Sequence, residues 1–256
     1  MMRRIVPLSP ARWGRLFGRL NFRRVEECRV ILRWLDARPG ERVLDVGCGD
    51  GYYDWRIARS GAHVTGIDLH EKRLAFARRH YGGDRVEFLS LDAERADFPA
   101  GSFDKAMSLC VMEHLGDDER VLANVSRAMK PGGCLTFSAD SLSNDEIAPE
   151  ERERHRRRYA VNTFYTMDIV RDKLSRAGFE IEEARYILSS PYALKLVRLS
   201  WKLDDLPPVL VLLRVLGYLA LGAAWKVSTA FSGRKAEERP AAKGLTLLVR
   251  ARKRAA

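Results

Sequence analysis

Short apolar runs alternate with amphipathic stretches through the first half of the chain. Arg42–Val46 is apolar enough to be a central strand of a parallel sheet, and His63–Asp68 and residues 85–89, 102–109 and 134–139 read as four more strands. Between them, residues 52–60 follow a helical pattern, and residues 71–80 place Leu74, Ala75 and Ala77 on one face. Residues 117–129 open with Asp117, Asp118 and Glu119, acids that suit the positive end of a helix dipole. Pro39 and Gly40 break an earlier helical pattern over 25–35. Repeated strand–helix alternation predicts a doubly wound α/β layer structure. A helix over 163–177, ended by Gly178, and strands over 179–188 and 244–251 complete the pattern.

The connection between those last two strands, 189–243, is too long for an ordinary loop, and such segments are usually functional or inserted subdomains. Residues 192–203 set Leu194, Val197 and Trp201 against Lys195, Arg198 and Lys202. Pro207 and Pro208 then introduce an apolar run over 209–225 that carries Arg214 near its middle. A membrane span needs about 20 apolar residues, and a centred arginine costs a few kcal/mol there. Crossing would also separate the two strands on either side of a bilayer. The expectation is a hydrophobic helical lid or an interfacial helix, not a span. At the other end, residues 1–24 hold seven arginines and no acid. Trp13, Leu16, Phe17 and Leu20 fall on one helical side and Arg12, Arg15, Arg19 and Arg23 on another, as in helices that lie at membrane interfaces. The segment lacks the apolar core of a secretory signal.

Composition adds two constraints. The 256 residues are 46% hydrophobic with a net charge of +11, which fits a folded chain with an anionic partner: nucleic acid, an acidic substrate or a membrane surface. Cys28, Cys48, Cys110 and Cys134 are scattered without metal-ligand spacing, so no metal is expected, and free thiols fit a reducing cytosol.

The chemistry concentrates in Val43-Leu44-Asp45-Val46-Gly47-Cys48-Gly49-Asp50-Gly51, a strand that runs into a glycine-rich turn. A dinucleotide fingerprint would place its third glycine at 52, where Tyr52 stands, so a pyrophosphate is a poor fit. The stretch resembles the cofactor loop of class I S-adenosylmethionine-dependent methyltransferases. Three further matches follow in order: Gly66-Ile67-Asp68-Leu69, Leu91-Asp92-Ala93 and Lys130-Pro131-Gly132-Gly133. The resemblance implies a seven-stranded Rossmann-like sheet of order 3-2-1-4-5-7-6, and the hydrophobic helical insertion between its last two strands is where this chain departs from the family. It implies S-adenosyl-L-methionine as cofactor, with Asp45, Gly47, Gly49 and Gly51 forming the loop. Asp68 and Leu69 would meet the ribose, Asp92 and Ala93 the adenine, and Cys110, at the end of the fourth strand, would also contact the cofactor. Asp68 alone could equally cap the helix that follows it.

The domain plan is a basic helical arm over 1–40, a methyltransferase core over 41–188 and 244–256, and the insertion over 189–243. His114 is the candidate general base, because imidazole titrates near neutrality; it could instead orient a loop, and Glu113 is the alternative group. The basic segment after the fifth strand supplies candidate substrate contacts at His155, Arg158, Tyr159 and Tyr165, with Arg152, Arg154, Arg156 and Arg157 nearby. The guanidinium fork matches a phosphate or carboxylate, whereas the bland alternative is a solvated helix face. The expected reaction is methyl transfer to a lipid-like, isoprenoid or other amphiphilic acceptor at the membrane surface, by a cytoplasmic protein held peripherally at the inner face. Nucleic-acid methylation is the weaker enzyme reading, since the fourth strand lacks an Asn/Asp-Pro-Pro-Tyr type of ending. A non-catalytic, cofactor-binding membrane partner is the third.

Overall fold

A computed structural model describes residues 19–231, with the side chain of Phe231 excepted, and 242–255. Most of the predicted basic arm and the linker after the apolar run therefore lie outside the described residues. The described chain begins its regular structure with α1 (Phe22–Leu35). Then β1 (Arg42–Val46), α2 (Tyr52–Ala58), β2 (His63–Asp68), α3 (Glu71–Tyr81) and β3 (Val86–Ser90) alternate, followed by β4 (Phe103–Leu109), α4 (Asp118–Ala128) and β5 (Met129–Asp140). Two helices, α5 (Pro149–Tyr159) and α6 (Met167–Arg176), lead to β6 (Phe179–Ile187). The inserted pair α7 (Pro191–Asp204) and α8 (Val211–Phe231) precedes β7 (Thr246–Lys253). The sheet order is β3-β2-β1-β4-β5-β7-β6, as the resemblance implied. Strands β1 to β5 run parallel, and β7 is antiparallel to both β5 and β6.

Strand side chains alternate between faces, and the core divides accordingly. Leu44 and Val46 join Ile67, Phe137, Val121, Leu122 and Leu174 on one side, with α4 and α6. Val43 joins Val64, Ile57, Leu74, Ala77 and Leu35 on the other, with α1, α2 and α3. Each fully buried aliphatic side chain contributes about 1.5–3 kcal/mol, so this alternation fixes register. Val46 pairs with both Ile67 and Ser108, which brings the ends of β1, β2 and β4 level.

Two boundaries differ from the expected ones for local reasons. The fifth strand starts at Met129 instead of residue 134: Met129 pairs with Phe103, and pairing resumes at Cys134 with Lys105 across an irregularity that accommodates Pro131, Gly132 and Gly133. The expected helix over 163–177 starts at Met167, because Thr166 is its N-cap, its hydroxyl accepting from Ile169 N–H at 3.4 Å. The polar, basic stretch before it forms α5, which closes on Ala160 in the left-handed region.

The chain divides into two compact units, Glu27–Ile187 with Pro240–Ala256 and Met1–Glu26 with Leu188–Arg239. The first holds the sheet. In the second, Ser190 caps α7, accepting from Ala193 N–H at 3.1 Å. A Cβ at Gly217 would sit 2.6 Å from a Leu203 methyl, so only glycine lets α8 approach α7 this closely. Arg214 is drawn to Asp204 of α7 at 3.4 Å, and Tyr218 donates to the same carboxylate at 2.5 Å. The stretch Pro208–Ala230 is long and apolar enough to cross a membrane by length and composition, yet only 17% of its apolar window is buried. Leu212, Leu213, Leu216, Leu219 and Val227 are exposed, at spacings close to one helical face.

Candidate active site

The glycine-rich turn is set by backbone geometry. Gly47 has φ 80°, in the left-handed region, and a Cβ there would run into the methyl groups of Val111. Its N–H and that of Cys48 both donate to Ile67 O, at 2.8 and 3.0 Å, tying the turn to the end of β2. Gly49 is different. It has φ 58°, and the nearest atom to an added Cβ would be Arg73 Nη1 at 3.9 Å, so its surroundings are open to a ligand. Its N–H donates to Asp68 Oδ2 at 2.9 Å, and His70 N–H donates to Asp68 Oδ1 at 2.7 Å. These bonds fix the carboxylate while leaving each oxygen a further lone pair for a hydroxyl. Leu69 beside it is 69% exposed, an apolar surface at the ligand edge.

Asp45, at the end of β1, is buried, and its Oδ1 has no hydrogen-bond partner among the described residues. Asp54, on α2, is fully buried against it. Sequence reasoning missed Asp54, which looks like an ordinary first-turn acid. Its nearest through-space signal is Gly66, where a Cβ would crowd both Asp54 Oδ1 at 2.7 Å and the Cys48 side chain. Burial and then the charge of Asp54 hold the Asp45 carboxyl well above the usual range, and burial pushes Asp54 up to about 7. Two carboxylates this close and this dry share a proton near neutrality.

The third corner is braced from α4. Asp92 Oδ1 accepts from Glu94 N–H at 3.0 Å, and Asn124 donates to the carbonyls of Ala93 and Glu94, both at 3.1 Å. Asn124 is another residue that sequence reasoning missed, since only the fold brings it here. Leu91 N–H donates to Asp68 O at 3.3 Å, joining this corner to the second.

At the end of β4, Cys110 is a non-glycine residue with φ 49°, held by its N–H to Ser138 O at 3.0 Å. Its thiol donates to Glu27 Oε2 at 3.2 Å. The Cys110, Glu113 and Asp140 ligand atoms lie within 4.8 Å of one another. Asp140, the last residue of β5, bonds His155 of α5 at 2.7 Å, and both are buried. His114 is half-exposed; its Nδ1 lies 3.2 Å from Ala160 O and its Nε2 3.9 Å from Glu113. A carbonyl can only accept, so in the neutral ring Nδ1 carries the proton and Nε2 presents the lone pair.

The remaining candidates do not all gather at this edge. Arg158 is exposed, its guanidinium 5.3 Å from the Tyr159 ring, and Tyr159 lies 4.5 Å from His155. Tyr165 is 1% exposed and belongs to the core. Its hydroxyl donates to Asp118, which also takes Lys173 at 2.5 Å. Burial and that bond push its phenol strongly up. The structure thus commits Tyr165 to packing and to an internal charge pair.

Fold and loop together are like those of class I S-adenosylmethionine-dependent methyltransferases. Residues 44–137 match the family model described as a methyltransferase domain. The open Gly49, the anchored Asp68 and the buried unpartnered oxygen of Asp45 fit the polar groups of its cofactor, S-adenosylmethionine. Among curated relatives, the chain is 41% identical over 113 residues to the ubiquinone biosynthesis O-methyltransferase of Aromatoleum aromaticum, a match over 42% of this chain and 48% of that protein. It therefore spans about half the length of the curated relatives it matches. Among solved structures, an S-adenosylmethionine-dependent methyltransferase from Mesorhizobium loti superposes with a TM-score of 0.62 at 22% identity, covering 88% of this chain and 96% of that one. A phosphoethanolamine N-methyltransferase 2 of Haemonchus contortus with S-adenosyl-L-methionine gives 0.63 at 19% identity, over 99% and 62%. At these identities the structural matches speak to fold alone.

Proposed function

We propose that this chain is an O-methyltransferase for a hydroxyl on a lipid-like, quinone-type acceptor at a membrane surface. The observation that carries the reaction is the likeness to ubiquinone biosynthesis O-methyltransferases across the cofactor half. The exposed apolar face of α8 supports an amphiphilic acceptor and an interfacial position. A helix with such a face and a net basic chain suits the boundary of an anionic, inner-face membrane. Arg214 argues for lying in the interface, not crossing it.

S-adenosylmethionine supplies an already activated methyl group. The residues then have three tasks: to hold the donor, to align the acceptor oxygen and to take its proton. Asp68, Asp92, Ala93, Leu69 and the loop around Asp45 hold the donor. Alignment in a closed site accounts for most of the acceleration in such a transfer. For the proton, His114 presents Nε2, and the Asp140–His155 pair lies at the end of the neighbouring strand. Loss of the acidic limb of the rate–pH profile in His114→Gln, but not in His155→Gln, assigns the base to His114; the reverse assigns it to the pair.

The test is incubation with methyl-labelled S-adenosylmethionine, membranes and total RNA from the protein's own source. Label is expected in the organic extract. Label confined to RNA defeats the proposal.

A further inference from the structure

Helix α5 carries Arg152, Arg154, Arg156, Arg157 and Arg158, and their partners separate them. Arg157 pairs with Glu153 at 2.8 Å. Arg156 donates to Val161 O and Asn162 O at 3.1 and 2.8 Å, closing the turn after the helix. Arg152 stands apart. It is half-buried, 4.6 Å over the Phe164 ring, and its one hydrogen bond is a long 3.5 Å contact to Ser141 O. Its Nε is buried without a hydrogen-bond partner, and no described carboxylate pairs with it. Burial, then the charge of Arg156, holds its pKa below the usual arginine range, and no acid offsets either effect. A partly desolvated guanidinium left without an anion is costly, and its planar fork is built for two-oxygen anions.

A second observation comes from the strand below. Ser141 follows β5 at the ligand edge and has no exposed surface, yet its Oγ has no hydrogen-bond partner. Its backbone N–H already donates to Leu245 O at 2.9 Å, so the hydroxyl is not needed to hold the chain. The nearby carboxylate of Asp140 is engaged by His155. Arg152 thus reaches the backbone of Ser141, and its Nε and the Ser141 hydroxyl are both buried with no hydrogen-bond partner among the described residues.

We infer that Arg152 and Ser141 form an oxyanion subsite, which takes a carboxylate or phosphate carried by the acceptor. Nothing in the cofactor loop is involved. The inference deepens the proposed function and rests on an acceptor lying at this edge.

The test is calorimetry on the full chain saturated with S-adenosylhomocysteine. The probes are 3,4-dihydroxybenzoate, its neutral methyl ester and inorganic phosphate. The acid is expected to bind at least ~10-fold tighter than the ester, the usual weight of one charge-assisted bond. Arg152→Gln should abolish that preference and Ser141→Ala should weaken it, with S-adenosylhomocysteine affinity unchanged. Arg152→Lys keeps the charge without the fork; it should retain phosphate and lose most of the preference for the planar carboxylate. If neither aromatic probe binds but phosphate does, and Arg152→Gln removes it, the subsite stands while the quinone-type acceptor fails. If no anion is preferred, or if Arg152→Gln leaves anion binding intact in a chain that still binds S-adenosylhomocysteine, the inference is overturned.

Discussion

The ends of β1, β2 and β3 present mostly backbone: glycines, amides and carboxylates that those amides hold in place. The ends of β4 and β5 present side chains instead, with Cys110, Glu113, Asp140, Ser141 and His155 gathered there. The family match ends at residue 137, so it takes in Cys110 and Glu113 and leaves out Asp140, Ser141 and His155. A site made of backbone can serve one invariant ligand through many changes of sequence. A site made of side chains can be rewritten for each new acceptor. The two regions also treat buried acid differently. Asp45 and Asp54 face each other without a cation, whereas Asp140 has His155.

That contrast can be broken experimentally, beginning with the largest effect. Between about pH 4 and 7 the folded chain keeps a proton on Asp54, and another on Asp45, that the unfolded chain has released. Unfolding therefore releases protons, and stability should fall by roughly 1.4 kcal/mol per pH unit for each of the two protons as pH rises through this window. Asp54's share is spent by about pH 7. Urea unfolding from pH 4 to 7 should show the decline in the wild type and a flatter line in Asp54→Asn; a midpoint that climbs with pH would falsify the shared-proton account. Next, Gly47→Ala should cost about 2–4 kcal/mol of stability, combining overpacking with left-handed strain. Thermal unfolding checks this, and Val111→Ala should restore part of the loss by removing the colliding methyls.

Asp68→Ala should weaken S-adenosylhomocysteine about 10²-fold, the weight of two hydrogen bonds to a charged acceptor. Unchanged affinity by calorimetry would return Asp68 to the role of a helix-capping acid. The smallest effect belongs to the helical unit. Leu212→Glu with Leu216→Glu should reduce binding to phosphatidylglycerol vesicles by at least ~10-fold through lost apolar burial, with cofactor affinity untouched. Sedimentation with the vesicles at wild-type levels would remove α8 from the membrane surface.

Much of this was legible in the chain itself. The apolar runs located the strands because parallel strands are buried on both faces. The loop was readable because a left-handed turn leaves a string of glycines in sequence. What stayed hidden depends on approach through space. Asp54, Asn124, Glu27 and Ser141 come near the strand ends only because the fold brings their elements to one edge. Tyr165 misled for the same reason: an aromatic in a basic segment resembles a binding residue until Asp118 and Lys173 are seen to claim its hydroxyl. The start of β5 was obscured because proline and two glycines punctuate it, although the strand passes through them.

The ion pair between Arg214 and Asp204 has a consequence for which side of the apolar run in α8 carries its charge. Arg214 interrupts that run with a charge that insertion penalises. Where α7 and α8 pair, Asp204 takes both the Arg214 guanidinium and the Tyr218 hydroxyl, so that charge is sheltered in the folded protein. One salt bridge thus keeps the Arg214 charge on the side turned to α7 and leaves the other side of α8 to Leu212, Leu216 and Leu219.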